Sequence, residues 1–187
     1  AAGSFSRFSS VSYRFSIAVE GVAPHKIQTI HYGLERTVDD ALRRTERGAM
    51  RAELAAIGAA RSGPQPRIFF EARYPNLLAA GQGSMVSEIM AAAGGRNCVE
   101  APDKLVRLGE EEVLRLAPDI YLVQKGPMNP SPEPVAERPL FRTLSCLNRG
   151  QVFTVDQALF SRPGPRSIEA VRQLSTIIAN WKTEVRP

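Results

Sequence analysis

The chain is poor in the residues that most often carry chemistry. It has two cysteines, two histidines and one tryptophan in 187 residues. The histidines, His25 and His31, have no cysteine or carboxylate cluster close in sequence, so no metal site is expected. No Gly-x-Ser-x-Gly elbow, Walker loop or Gly-x-Gly-x-x-Gly after a strand is present, and no catalytic residues are assigned. No run approaches the roughly 18 apolar residues of a membrane-spanning helix. The opening AAGSFSRF lacks the charged and apolar regions of a signal peptide, which leads us to expect a mature or trimmed chain, or one without a leader. Cys98 and Cys146 fall at a strand start and near a helix end, where two buried free thiols are expected in preference to a bridge.

What is present is a core. Hydrophobic residues make up 43% of the chain, enough for one globular domain of this length. The net charge of +5 is spread along it, with Arg43, Arg44, Arg47 and Arg51 on one predicted helix. No aromatics interleave these arginines, so a solvated helix face is expected and nucleic acid is not a partner.

Alternating apolar residues predict strands at Ser12 to Val19 and His25 to Tyr32. Thr37, with Asp40 three residues on, predicts the cap of a long helix reaching about Ala60, with Gly48 as a weak point. Arg67 to Tyr74 reads as a strand and Pro75 to Gly83 as a loop. Ser84 caps a helix carrying Val86, Ile89, Met90 and Ala93 on one face, closed by Gly94-Gly95. Further strands are predicted at Asn97 to Ala101, Ile120 to Gln124 and Val152 to Val155, and helices at Gly109 to Leu116 and Pro139 to Leu147. A last helix from near Pro165 buries Ile168, Val171, Leu174, Ile178 and Trp181. Strands alternating with helices imply an α/β fold: a three-layer Rossmann-like lobe whose mostly parallel sheet is covered on both faces.

Four segments stand out in their order: Ala93-Gly94-Gly95-Arg96-Asn97, the Glu111 helix leading to Pro118-Asp119 and a strand, Arg149-Gly150-Gln151-Val152-Phe153, and Arg162-Pro163-Gly164-Pro165-Arg166. Each alone is ordinary helix-end or turn chemistry. Together, over residues 67–181, they make the chain resemble the helical-backbone periplasmic binding proteins of ABC importers, the family of cobalamin-, haem- and ferric-siderophore-binding proteins. Members have two Rossmann-like lobes joined by one long helix and hold solute between them.

The resemblance implies three parts: residues 1–36 as an extension or remnant with strands, 37–62 as the connecting helix, and 63–187 as the C-terminal solute-binding lobe. Only 36 residues precede Thr37, too few for a second lobe of about a hundred residues, so that lobe is expected to be absent from this chain. It also implies a non-enzymatic solute-binding role for a metal chelate or corrinoid, an ABC permease as partner, a periplasmic or extracytoplasmic location, and no cofactor. Solutes of open α/β sheets lie beyond the carboxyl ends of the strands. On that basis Tyr74, Asn76, Gln82, Leu105, Asp156, Phe160 and Arg162 are the ligand-binding candidates, with core packing an equal reading of Tyr74 and Phe160. Glu111 matches the glutamate by which family members engage permease arginines.

Two other functions remain open. A lobe-only protein that self-associates, as a homodimer through the long helix or residues 1–32, or that binds another protein would use the surfaces left uncovered. A nucleotide-handling Rossmann-like enzyme would use Gly81-Gln82-Gly83-Ser84, a two-glycine loop opening a helix that offers amides to an anion.

Overall fold

The computed structural model describes residues 43–59, 63–164 and 166–181. The chain divides into two units, 1–46 and 47–187. Of the first, only residues 43–46 are described, and they are helical. The strands expected at 12–19 and 25–32, and the Thr37 cap, lie outside the described residues.

Helix α1 spans residues 43–59, and Gly48 does not interrupt it. Within the second unit Ile57 packs against the core and Glu53 accepts from the Arg172 guanidinium. Strand β1 (Arg67–Arg73) is the centre of a six-stranded sheet with β2 (Leu78–Ala80), β3 (Arg96–Asn97), β4 (Leu105–Arg107), β5 (Ile120–Lys125) and β6 (Val152–Asp156). The order is β4-β2-β1-β5-β6, with β3 also on β1. β1, β3, β5 and β6 pair in parallel, whereas β2 pairs antiparallel with both β1 and β4.

Alternation sorts the side chains of β1 and β5. Ile68, Phe70, Ala72, Ile120 and Leu122 face α2 (Met85–Ala93) and α6 (Ser167–Asn180), meeting Val86, Ile89, Met90, Val171 and Leu174. Phe69, Tyr121 and Val123 face the other layer, built from α3 (Glu110–Leu116), α4 (Ser145–Asn148) and two 3-10 turns, with Val113, Val135, Phe141 and Cys146. A strand buried on both faces is what its near-continuous apolar run requires. The sheet is therefore mostly parallel and covered on both faces, as the alternation of elements implied.

Local signals account for the helix ends. Ser84 caps α2 by accepting from the Ser87 amide at 3.1 Å, and Gly94 closes it at φ +99°. Gly109 opens α3, and Ala117 ends it in the left-handed region just before Pro118.

Four expectations are corrected. The loop Pro75 to Gly83 contains β2, and β4 was not foreseen. The strand expected at Asn97 to Ala101 is only Arg96–Asn97, because the Asn97 side chain accepts from the Val99 amide at 3.0 Å and turns the chain away from the ladder. Pro139 to Leu147 is not one helix: a 3-10 turn (Leu140–Thr143) is followed by extended Leu144 and then α4. A single turn, α5 (Gln157–Phe160), follows β6 directly. Both cysteines are free and buried.

Candidate functional site

The parallel strands determine where a site forms. β1, β5 and β6 run together and end at one edge, with Lys125 opposite Asp156 in the register. β4 runs the same way, since it is antiparallel to β2, and it delivers the chain to the start of α3 at that edge. The loops after β1, β5 and β6 and the first turn of α3 therefore share one rim.

That topology separates the candidate residues. Tyr74, Asn76, Asp156, Phe160 and Arg162 lie at the carboxyl edge. Gln82 and Leu105 do not: Leu105 pairs with Ala80 at the far end of antiparallel β2, and Gln82 follows it. Gln82 is a brace there, donating to the Val99 carbonyl at 3.1 Å and accepting from the Ser87 hydroxyl at 3.0 Å. Post-strand segments therefore do not all share one edge: those after β2 and β3 lie away from the carboxyl ends of β1, β5 and β6.

Of the five at the edge, Phe160 is wholly buried, stacked on Phe70 with centroids 6.1 Å apart. Asp156 is exposed, and its carboxylate accepts from the Ala158 amide at 2.7 Å, capping α5. Asn76 is exposed in the left-handed region at φ +59°, and Arg162 is exposed in the loop to α6. Tyr74 is half-buried, and its hydroxyl donates to Glu110 at 2.9 Å. Burial first, then the hydrogen bond to Glu110, raise its phenol above the ordinary range.

Beneath Tyr74 is a polar cluster that the sequence reading missed. The Arg138 guanidinium stacks 3.7 Å from the Tyr74 ring centroid. It is clamped by Glu71 at 2.5 and 3.0 Å and also donates to the Glu133 carbonyl at 2.7 Å. Tyr121 donates to the same carboxylate at 2.6 Å. Burial drives the Tyr121 phenol well above its usual range, and the Glu71 charge adds to that. Burial alone would weaken the charge of Arg138, but the Glu71 contact outweighs it and the guanidinium is held protonated. One hint was visible: a carboxylate inside the apolar run Phe69-Phe70-Glu71-Ala72 needs a partner.

The neighbouring loops are laced together as well. Buried Gln124 donates to the Ala72 carbonyl and accepts from Ser161, while its carbonyl accepts from Asn129 at 3.0 Å. The Gln157 side chain accepts from the Met128 amide at 2.8 Å. The rim is thus a braced wall, suited to pre-formed binding.

At the acidic start of α3 the three glutamates differ. Glu110 is engaged by Tyr74 and Glu112 by Arg115, whereas Glu111 is exposed and has no ion-pair or hydrogen-bond partner among the described residues.

The Gly81 to Ser84 loop is no anion cradle. All four of its amides are taken, by the carbonyls of Lys104, Ala101, Asp103 and Gly81 in turn. Among the described residues no group of three or more His, Cys, Asp or Glu side chains is placed to hold a metal ion. None of their helices is long and apolar enough to cross a membrane.

No family model matches the chain, and no curated protein matches its sequence. Solved structures do. The periplasmic heme-binding protein BhuT in complex with two hemes superposes with a TM-score of 0.63 at 24% identity, covering 78% of this chain and 60% of its own. The periplasmic vitamin B12 binding protein BtuF of Vibrio cholerae gives 0.57 at 21%, covering 75% and 52%. An ABC-type Fe3+-hydroxamate transport system protein from Saccharomonospora viridis gives 0.61 at 17%, covering 72% and 48%. The chain spans between about half and six-tenths of the length of these proteins. The first two are periplasmic binding proteins and the third belongs to a transport system. The resemblance drawn from the four sequence segments therefore holds at the level of fold: the described α/β unit has the fold of one lobe of the periplasmic solute-binding proteins.

Proposed function

We propose that this chain is the solute-binding component of an ABC importer, or the portion of one that carries a lobe, and that it acts at the periplasmic or extracytoplasmic face. In this reading residues 37–62 supply the connecting helix and 63–187 the lobe. The observation that carries it is the braced carboxyl rim on a lobe of this fold, where open α/β sheets bind ligands. The solute is an iron chelate, haem or a corrinoid, by likeness to the three proteins above. Tyr74, Asn76 and Arg162 face it at the rim, with an aromatic surface for packing and polar tips for orientation. Asp156 lies beside them, although its carboxylate also caps α5. Glu111 faces arginines of the permease.

One wall encloses only part of a ligand, whereas pockets bury about 70% or more of one. Titration calorimetry of this chain with haemin, cyanocobalamin and a ferric hydroxamate is expected to show saturable but weak binding of one class, micromolar or weaker. Absence of a saturable signal for all three would overturn the reading.

A further inference from the structure

We propose that Arg138 is a positioning residue for the rim, acting through Tyr74 on the first turn of α3. It rests on reading this edge as the solute-facing one. Three contacts form an unbroken chain from the core to the surface. Glu71 on β1 clamps the Arg138 guanidinium through two oxygens, and both side chains are wholly buried. The guanidinium plane seats the Tyr74 ring at 3.7 Å. The Tyr74 hydroxyl then reaches Glu110, one residue from the unpartnered Glu111.

Each link has a direction that a bland packing role does not require. A guanidinium held at two points cannot slide, so it fixes where the ring lies, which a lysine's single-point ammonium does not. Among the described residues the hydroxyl is the one side-chain hydrogen bond joining the end of β1 to α3. Loss of it frees the α3 terminus while leaving the sheet intact. The group that a solute at this edge meets and the turn that carries Glu111 are therefore held by one tyrosine. A ligand that captures the Tyr74 hydroxyl takes it from Glu110.

Hydrogen exchange read by mass spectrometry on the full chain tests this without any solute, so failure of the importer reading leaves the result interpretable. In Tyr74→Phe the ring stays on Arg138 and only the bond to Glu110 is lost. Exchange in α3 is expected to rise about tenfold, as suits one bond to a charged group, with α2 and α6 unchanged. Arg138→Lys, which keeps the charge beside Glu71 but not the flat two-point clamp, is expected to give the same local pattern. Should it fail to fold, Tyr74→Leu, which removes the ring from Arg138 and leaves the buried pair intact, replaces it. Unchanged rates in α3, or a rise shared evenly by α2, α3 and α6, would overturn the proposal.

Discussion

The guanidinium of Arg138 and the carboxylate of Glu71 meet at 2.5 and 3.0 Å with both side chains wholly out of solvent. Such a pair repays its desolvation only while both partners are present. Arg138→Met is therefore expected to cost about 3–5 kcal/mol, since it strands a buried charge. Adding Glu71→Leu should recover more than half of that loss. The Tyr121 hydroxyl and the Glu133 carbonyl, both bonded to the pair, keep the recovery from being complete. Urea unfolding of the single and double variants measures the difference, and a double variant no more stable than Arg138→Met would contradict the argument.

The two thiols contribute to the alkaline limit of the fold, beside the raised phenols of Tyr74 and Tyr121. Burial pushes Cys98 up to about 12 and Cys146 up to about 11, against an ordinary value of 9.0. Their neutral forms are the ones folding favours, so the unfolded chain releases these protons first as pH rises. Their share of the stability is then complete below about pH 9 and falls between there and pH 11 to 12, by about 1.4 kcal/mol per thiol for each pH unit within its window. Denaturant curves at pH 8 and pH 10.5, compared with those of Cys98→Ala/Cys146→Ala, isolate this share. An equal pH slope in the double variant would assign the loss to other groups.

Two glycines are expected to respond to alanine with opposite signs. A Cβ on Gly81 would lie 2.2 Å from the Asp103 carbonyl oxygen and 2.9 Å from that of Ala101. Backbone cannot step aside as a side chain can, so Gly81→Ala should cost about 2–3 kcal/mol. Gly48 lies inside α1 with nothing within 4 Å of its missing Cβ. Gly48→Ala should instead stabilise by about 0.5–1 kcal/mol through helix propensity. Thermal unfolding of the pair checks both signs.

Much of the lobe was legible because its signals are local. The α2 helix has its cap at Ser84, its apolar face and its left-handed Gly94 within eleven residues, and β1 and β5 are short apolar runs beside turn residues. β2 and β4 are three residues each and exist through pairing with one another and with β1. No periodicity shows in three residues, and missing β2 and β4 put Gln82 and Leu105 at the carboxyl edge, where the structure does not place them. Arg138 was invisible for a related reason: its partner is 67 residues away, and nothing near it in sequence distinguishes it from a solvated arginine.

The three glutamates of α3 offer the sharpest discrimination at the surface. All sit in its first turn, where the helix dipole favours negative charge, so position alone does not single one out. Their partners do: Tyr74 binds Glu110, Arg115 binds Glu112, and Glu111 is left to solvent. A carboxylate already engaged must give up its partner before it can receive another cation, whereas Glu111 gives up only water. Under the proposed importer role, Glu111→Gln is thus expected to fold with unchanged stability and to associate with a reconstituted permease about tenfold more weakly, mainly through a slower on-rate that flattens with added salt. Glu112→Gln, made as the control, should leave association within about twofold, because Arg115 already neutralises that charge. Surface plasmon resonance on the wild type and both variants separates the cases, and equal affinities for all three would reduce Glu111 to a helix-end charge.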